Sequence, residues 1–231
     1  TGKSVAVIGG GPMGLSAAYF LRQKGHAVTV FEAMPKAGGM LRYGIPEYRL
    51  PKEVLDAEIF TIQKMGVEII TDTKIGKDIP FETVKQDFDA VLIGIGAWIS
   101  TGVGCTGEDA EGVIGGIDFL RKVVRNEEIQ LGEKVAIVGG GNTAMDACRT
   151  AVRLGAKKVY NIYRRTKDEM PADMVEIEEA EEEGVIFKNL TNPLEVVKDE
   201  TGHVKEVILQ VMELGEPDES GRRRPIPVKG K

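Results

Sequence analysis

Residues 5–32 read VAVIGGGPMGLSAAYFLRQKGHAVTVFE, and residues 135–165 read VAIVGGGNTAMDACRTAVRLGAKKVYNIYRR. Each stretch contains a short apolar strand, three glycines, a helix rich in small residues and a second strand. This order predicts a βαβ unit whose glycine-rich turn binds a dinucleotide at the carboxyl edge of a parallel sheet. The sequence therefore predicts an α/β fold with two Rossmann-like units.

The first glycine turn satisfies the G-x-G-x-x-G pattern with Gly9, Gly11 and Gly14. The first glycine permits a tight turn, the second lets a pyrophosphate approach the backbone, and the third lets the helix pack on the strand. Pro12 suits the first helical turn, because an N–H there would be unpaired anyway. Glu32 ends the second strand, where a carboxylate accepts ribose hydroxyls and repels a 2′-phosphate. The first unit is therefore predicted to bind FAD or NAD rather than NADP.

The second turn has alanine at the third fingerprint position, which the pattern tolerates. Asn142 and Thr143 are expected to cap the following helix and to donate hydrogen bonds to a pyrophosphate. Asp146 either faces the same end or is a first-turn charge that favours the helix dipole. The candidate contacts in this turn are Gly139, Gly140, Gly141, Asn142, Thr143, Ala144 and Asp146.

The end of the second strand differs between the two units. Aligning Val28 with Tyr160 places Arg164 opposite Glu32. Arg164 and Arg165 match a phosphate dianion in charge and geometry, which predicts a 2′-phosphate site and hence NADP(H). The alternative is a pair of surface arginines at a strand end.

Several segments outside the two repeats also carry structural signals. The stretch from 37 to 46 is too rich in glycine for a helix, and it predicts either a second close approach to a ligand or a packed surface loop. A helix is predicted over Lys52–Met65, and strands over Val67–Ile70 and Ala90–Ile95. Glycines after the last of these strands are expected in the ligand-binding crevice, whereas Trp98 suits packing equally well.

The last third of the chain predicts a helix followed by antiparallel strands. Residues 173–183 contain six glutamates, which favour a solvated amphipathic helix over paired catalytic carboxylates. Residues 185–190, 194–198 and 204–214 alternate like strands, with a hairpin turn at 199–202. The run Arg222–Arg224 is expected to lie in a solvated loop.

Composition excludes several classes of function. The formal charge of −6 argues against a nucleic-acid partner. Cys105 and Cys148 are too far apart for a zinc or disulfide framework, so no metal site is predicted and a reducing, cytoplasmic location is expected. No apolar run reaches the length of a membrane span. The predicted domains are residues 1–112 and 113–231.

Two fingerprints separated by GGMLRYGIP at 38–46 resemble a known family. The sequence is similar to the small (beta) subunit of NADPH-dependent glutamate synthase and its relatives. These include the NADPH–flavin half of dihydropyrimidine dehydrogenase and the large subunit of NADH-dependent ferredoxin:NADP oxidoreductase. The resemblance covers nearly the whole chain and is carried by Gly38–Pro51, Gly139–Asp146, Tyr163–Thr166 and Met170–Ala172.

The resemblance implies a glutathione-reductase-like fold with FAD on the first unit and NADPH on the second. Hydride would pass from NADPH to FAD, and electrons would leave through iron–sulfur clusters of a large catalytic subunit or a ferredoxin-like acceptor. The cofactors carry the chemistry, so no side chain is assigned as a catalytic acid, base or nucleophile. The implied FAD contacts are Gly9, Gly11, Pro12, Met13, Gly14, Glu32, Ala33, Gly38, Gly39, Met40, Leu41, Arg42, Ile45, Ile75, Gly96 and Ala97. The implied NADPH contacts are the second glycine turn with Arg164 and Arg165.

The sequence also departs from this family in two ways. It lacks the cysteine-rich cluster domain that precedes the first unit, and it lacks the Gly-Asp segment that returns to the FAD domain. The chain is therefore expected to be a fragment, in which FAD retention is the open question. A catalytically silent nucleotide-binding or docking protein is the second hypothesis. A flavin-free NADP dehydrogenase is disfavoured, because neither crevice offers an acid–base residue.

Overall fold

The structure is a computed structural model that describes residues 2–219 and 221–230. The chain forms two compact units that divide between Trp98 and Ile99. The predicted boundary at residue 112 lies inside the second unit, where Thr106 and Glu111 form bridges with Glu195 and His203.

The first unit is a four-stranded parallel sheet in the order β3-β2-β1-β4. Its strands and helices are β1 (Ser4–Ile8), α1 (Pro12–Gln23), β2 (Ala27–Phe31), α2 (Met40–Tyr43), α3 (Lys52–Lys64), β3 (Glu68–Ile70), α4 (Phe81–Asp87) and β4 (Ala90–Ile93). Both faces of the sheet are covered. On one face the valines of β1 and β2 pack against Ala18 of α1. The βαβ prediction is confirmed for this unit.

The second unit contains a parallel sheet and an antiparallel sheet. Its elements are α5 (Gly116–Val124), β5 (Lys134–Val138), α6 (Asn142–Arg153), β6 (Lys158–Tyr163), α7 (Met174–Glu182), β7 (Ile186–Asn189), β8 (Thr191–Lys198), β9 (Val204–Pro217) and β10 (Arg223–Pro227). The parallel sheet has the order β5-β6-β7, and the antiparallel sheet has the order β8-β9-β10. The predicted antiparallel addition is confirmed.

Helix α6 is the centre of the core in the second unit. Its residues 144–151 are all buried, because the sheet, α5 and α7 surround it. Met145 and Cys148 are completely buried, and Ile177 of α7 packs against the same cluster. Such a helix needs small residues to fit between its neighbours, which explains its alanines.

Three local predictions were wrong. Residues 185–190 were expected in an antiparallel strand, but β7 pairs in parallel with β6 because α7 makes the crossover. The run Arg222–Arg224 was expected in a loop, but Arg223 and Arg224 belong to β10, where they remain exposed. The stretch from 37 to 46 was expected to lack helix, but it forms the single turn α2 after Gly39.

Candidate functional site

In the first unit, the glycine turn lies against the carboxyl end of the neighbouring strand β4. Gly9 has a φ of +106°, and a Cβ there would overlap the carbonyl group of Gly94. A Cβ at Gly14 would overlap the carbonyl oxygen of Gly9. Glycine is therefore required at both positions by the protein itself, before any ligand is considered.

The start of helix α1 leaves backbone donors available. Gly11 occupies the N-cap position and no side chain caps the helix, while Pro12 contributes no N–H at the next position. Met13 is exposed beside this end. Uncapped N–H groups and the positive end of the helix dipole bind anions such as a pyrophosphate. These features fit the phosphate groups of a dinucleotide.

Glu32 holds the turn in place from the end of β2. Its side chain is 5% exposed. The Gly10 N–H donates to Glu32 Oε2 at 2.8 Å, and the Met34 N–H donates to Oε1 at the same distance. A carboxylate has further lone pairs, so these bonds do not exhaust its capacity to accept ribose hydroxyls.

The loop from 37 to 46 packs directly on the glycine turn. The Gly38 N–H donates to the Gly10 carbonyl at 2.7 Å, and a Cβ on Gly39 would come within 2.6 Å of the Gly11 Cα. Gly39 is therefore explained by its approach to the first turn, whereas a Cβ on Gly38 would meet the side chains of Leu55 and Arg42. Of the two alternatives considered from the sequence, the structure shows the packed loop, and contact with a ligand stays a prediction.

Two cations hold this loop, and the sequence indicated only one of them. Arg42 is buried, donates from Nε to the Ala37 carbonyl at 2.6 Å and pairs with Asp56 of α3. Its side chain is thus committed to the protein. Lys52 Nζ donates to the carbonyls of Leu41, Ile45 and Leu50 at 3.1, 2.7 and 2.9 Å. Lys52 was missed because nothing local distinguishes it from a surface lysine at the start of a helix.

The remaining candidates of the first unit are divided between its surface and its core. Gly96 and Ala97 are exposed beyond β4, and Ala33 is exposed after Glu32. Ile75 packs with a cluster containing Phe31 and Val84. Trp98 packs on Tyr43 of α2 with ring centroids 5.8 Å apart, as the packing alternative predicts.

The second unit has the same uncapped helix start. Gly141 is the N-cap of α6, and no side chain caps the helix. The prediction that Asn142 and Thr143 cap it was wrong: Asn142 is already helical, and its Oδ1 accepts the Asp173 N–H at 2.9 Å. A Cβ on Gly141 would meet nothing within 4 Å, so this side of the turn is open. Asp146 is buried in the second helical turn, which excludes the first-turn alternative.

The segment after β6 is fastened to this glycine turn. The Ala172 N–H donates to the Gly140 carbonyl at 3.0 Å. The ring of Tyr163 fills the space that a Cβ on Gly140 would need, and the Tyr163 hydroxyl donates to the Glu169 carbonyl at 2.8 Å. Residues 163–173 and the glycine turn therefore form one connected surface.

The two candidate arginines have different surroundings. Arg164 is exposed, and its side chain makes no hydrogen bond or ion pair with residues 2–219 or 221–230. Arg165 is partly buried, and its Nε donates to the Arg223 carbonyl of β10 at 2.9 Å. This contact joins the segment after β6 to β10, which is distant along the chain, so the sequence offered no signal for it.

The alignment of the two strand ends was wrong by one position. The Gly9 N–H donates to the Phe31 carbonyl, and the Gly139 N–H donates to the Ile162 carbonyl. The structural counterpart of Glu32 is therefore Tyr163 rather than Arg164. The second unit has one residue more than the first before β6, whereas the alignment of Val28 with Tyr160 allowed two, and local similarity could not reveal the difference.

Comparison with known proteins agrees with this geometry. A family model described as pyridine nucleotide-disulphide oxidoreductase matches residues 3–219. The chain belongs to this family. Among solved structures, Mycobacterium tuberculosis FprA in complex with NADPH has a TM-score of 0.87 at 18% identity, with 100% of this chain and 68% of that chain covered. Lactococcus lactis thioredoxin reductase has a TM-score of 0.67 at 18% identity, covering 97% and 74%. These likenesses establish the fold.

Curated relatives are considerably closer to this chain in sequence than these solved structures are. NADP(+)-dependent formate dehydrogenase subunit beta of Moorella thermoacetica is 50% identical, over 100% of this chain and 33% of its own length. NADPH-Fe(3+) oxidoreductase subunit beta of Geobacter sulfurreducens is 49% identical, over 99% and 35%. The glutamate synthase [NADPH] small chain of Escherichia coli is 40% identical, over 100% and 51%. The resemblance to the glutamate synthase small subunit is confirmed, and this chain spans about a third to a half of these relatives.

Within the part of the chain that the structure describes, no helix has the length and apolarity needed to cross a bilayer.

Proposed function

We propose that this chain is the dinucleotide-binding part of an NADPH-dependent flavoprotein oxidoreductase, with FAD on the first unit and NADPH on the second. One observation carries the proposal: both units present an uncapped helix start behind a glycine turn, but only the first ends its second strand in a buried carboxylate. In the second unit an exposed arginine follows that position. A carboxylate is expected where a protein binds ribose hydroxyls, and an arginine is expected where it binds a 2′-phosphate.

The residues have distinct roles in this proposal. The N–H groups that begin α1 and α6 bind the two pyrophosphates, and the glycines keep side chains out of their way. Lys52 and Arg42 hold the loop that flanks the first site, so its backbone stays ordered when a cofactor binds. Arg164 binds the 2′-phosphate. Bound NADPH and FAD would supply hydride transfer, and the protein supplies alignment.

The electron acceptor is proposed from the relatives. Three of them are named as a beta subunit or small chain, which supports a partner subunit. We infer an iron–sulfur or large catalytic subunit of the glutamate synthase type as that partner. The cytoplasmic location stays a prediction.

The test begins with the colour and the nucleotide preference of the purified chain. After reconstitution with FAD, we expect the chain to retain the flavin. Addition of NADPH in the absence of oxygen is then expected to bleach the flavin absorbance. A titration is expected to show that Arg164→Ala weakens NADPH binding by about tenfold or more, since a charge-assisted hydrogen bond is lost, with little effect on NADH. Lys157→Ala, which changes an exposed lysine of the same unit, is the control. Equal losses for both nucleotides would contradict the 2′-phosphate assignment.

A chain that binds NADPH but never retains flavin would favour the second hypothesis, a nucleotide-binding protein without turnover of its own. The share of the relatives that the chain spans is the observation behind this alternative.

A further inference from the structure

The peptide group between Gly9 and Gly10 and its counterpart between Gly139 and Gly140 are held in different ways. In the first unit, the Gly10 N–H is bound by Glu32, and the Gly9 carbonyl oxygen lies where a Cβ on Gly14 would be. Both contacts depend on the identity of a side chain. Position 32 must carry a hydrogen-bond acceptor, and position 14 must lack a Cβ.

The second unit has neither this carboxylate acceptor nor a glycine at the position of Gly14. Tyr163 takes the place of Glu32, and its hydroxyl is directed to Glu169 instead of the turn. Ala144 takes the place of Gly14 and its Cβ lies close to Gly139, so the Gly139 carbonyl cannot take the direction that the Gly9 carbonyl has beside Gly14. The 139–140 peptide group must therefore be fixed by something else.

Asn161 provides that contact. It stands at the position of Val30 in the first unit, and both side chains are 0% exposed. Asn161 Nδ2 donates to the Gly139 carbonyl at 2.9 Å and lies 3.8 Å from Cys148 Sγ. Its Oδ1 is buried without a hydrogen-bond partner among residues 2–219 and 221–230. Buried polar atoms are hydrogen-bonded in the great majority of cases, so an unpaired amide oxygen calls for an explanation, and the bond from Nδ2 to the Gly139 carbonyl is the one that the geometry offers.

We propose that Asn161 is a positioning residue that sets the direction of the 139–140 peptide group in the NADPH site. Because the peptide group is planar, fixing the Gly139 carbonyl also fixes the Gly140 N–H on its other side. Asn161 and Ala144 act as a pair, since the amide is needed only while the Ala144 Cβ is present. The proposal rests on the proposed function for its ligand.

The test is a four-member cycle of the unmodified chain, Asn161→Val, Ala144→Gly and the double variant. Valine is the residue of the first unit at this position. We expect Asn161→Val to weaken NADPH binding about three- to tenfold, the loss of one buried hydrogen bond. Ala144→Gly alone gives the reference affinity with which the double variant is compared. The double variant recovers most of the affinity, because the Gly139 carbonyl then packs on the helix as Gly9 does.

The stability of each variant, measured by urea unfolding, distinguishes a positioning role of Asn161 from a general loss of stability. Asn161→Val removes the unpaired acceptor Oδ1 but leaves the Gly139 carbonyl without its hydrogen bond. Because these two effects oppose each other, the urea midpoint of the variant is expected to stay near that of the unmodified chain. Thr150→Val is the matched control, because Thr150 Oγ1 is also buried and unpaired among the described residues and lies on α6, the helix that Asn161 contacts at Cys148. It is expected to leave NADPH binding unchanged.

Unchanged NADPH affinity in Asn161→Val would overturn the proposal, and so would a double variant as weak as the single one. A failure of the unmodified chain to bind NADPH would instead contradict the proposed function. In that case the role of Asn161 is tested by the NMR amide resonance of Gly140 in the free protein. This resonance is expected to shift in Asn161→Val and to return to its original position in the double variant. A resonance that stays in place in Asn161→Val counts against Asn161.

Discussion

At the scale of single residues, the structure shows how much of each site is built from backbone. Gly9, Gly14 and Gly39 are glycines because other backbone atoms occupy the space of a Cβ. The fingerprint predicted the first two from sequence. The role of Gly39 was not predictable, because its neighbour Gly11 is close in space and distant along the chain.

The two cysteines are expected to differ sharply in reactivity. Burial raises the pKa of the Cys148 thiol to about 12, although the hydrogen bond from Asn161 acts in the opposite direction. The thiol therefore stays protonated at pH 8 and is closed to reagents. We expect iodoacetamide to modify the partly exposed Cys105 and to leave Cys148 intact, as read by mass spectrometry of peptides. Both should react in urea. Modification of Cys148 in the folded chain would contradict its burial.

Lys52 is expected to determine the order of the loop beside the first site. Lys52→Met keeps the aliphatic stem and removes three hydrogen bonds to carbonyls, so we expect a loss of about 2 kcal/mol in the stability of the first unit. Proteolysis within residues 41–50 should become faster, and flavin retention should fall. Lys24→Met, at an exposed helix end, is the control. Equal proteolysis in both variants would show that Lys52 is dispensable.

At the scale of elements, α6 and α7 are joined by charges as well as by apolar packing. Arg149 of α6 is buried and contacts Glu176, Glu179 and Glu183 at 2.6, 2.6 and 2.9 Å. The amphipathic pattern of residues 173–183 predicted the helix and its apolar face. It also predicted that the glutamates are solvated, which is wrong for Glu176 at 13% exposure of its side chain. Arg149 gave no local signal, because its partners come from another helix.

Arg149→Met is expected to lower the free energy of unfolding by about 3 kcal/mol, because it leaves clustered carboxylates without their cation. Glu179→Gln, which changes the most exposed of the three partners, should cost less than about 1 kcal/mol. Urea denaturation measures both. Equal effects of the two changes would contradict a buried cluster centred on Arg149.

The same cluster predicts a dependence on pH. Burial raises the pKa of Glu183, but hydrogen bonds from Arg153 and Arg149 outweigh it, so the pKa lies below its ordinary value of 4.5. A lowered carboxyl pKa contributes stability above that ordinary value and loses it as the pH falls. The difference between the unmodified chain and Arg149→Met should therefore shrink as the pH is lowered from 7 to below 4.5. A constant difference would mean that Arg149 acts by packing alone.

At the scale of the whole molecule, the sequence predicted the architecture because the decisive features are periodic and local. A strand, a glycine turn and a small-residue helix occur twice in that order, and both copies fold as expected. The details that were wrong depend on contacts across the fold. They include the parallel pairing of β7, the strand β10, and the one-residue shift that places Tyr163 opposite Glu32.

The two units are expected to respond separately to NADPH. Trp98, the only tryptophan, belongs to the first unit and packs on Tyr43, so its fluorescence is the probe for unfolding of that unit. Saturating NADPH at about 100 times its dissociation constant should stabilise the second unit by about 2.7 kcal/mol. We expect the circular dichroism transition to move to higher urea while the Trp98 transition stays in place. Movement of both transitions together would contradict separate responses.

The bond from the Tyr163 hydroxyl to the Glu169 carbonyl has a consequence for redesign of coenzyme preference. Grafting the acidic residue of the first unit into the second requires a glutamate at 163, since that is the position equivalent to Glu32. The exchange would remove the ring that fills the space beside Gly140 and the tether that holds residues 163–169. A single-site swap toward NADH would thus loosen the very loop that presents Arg164. A successful redesign has to rebuild that loop at the same time.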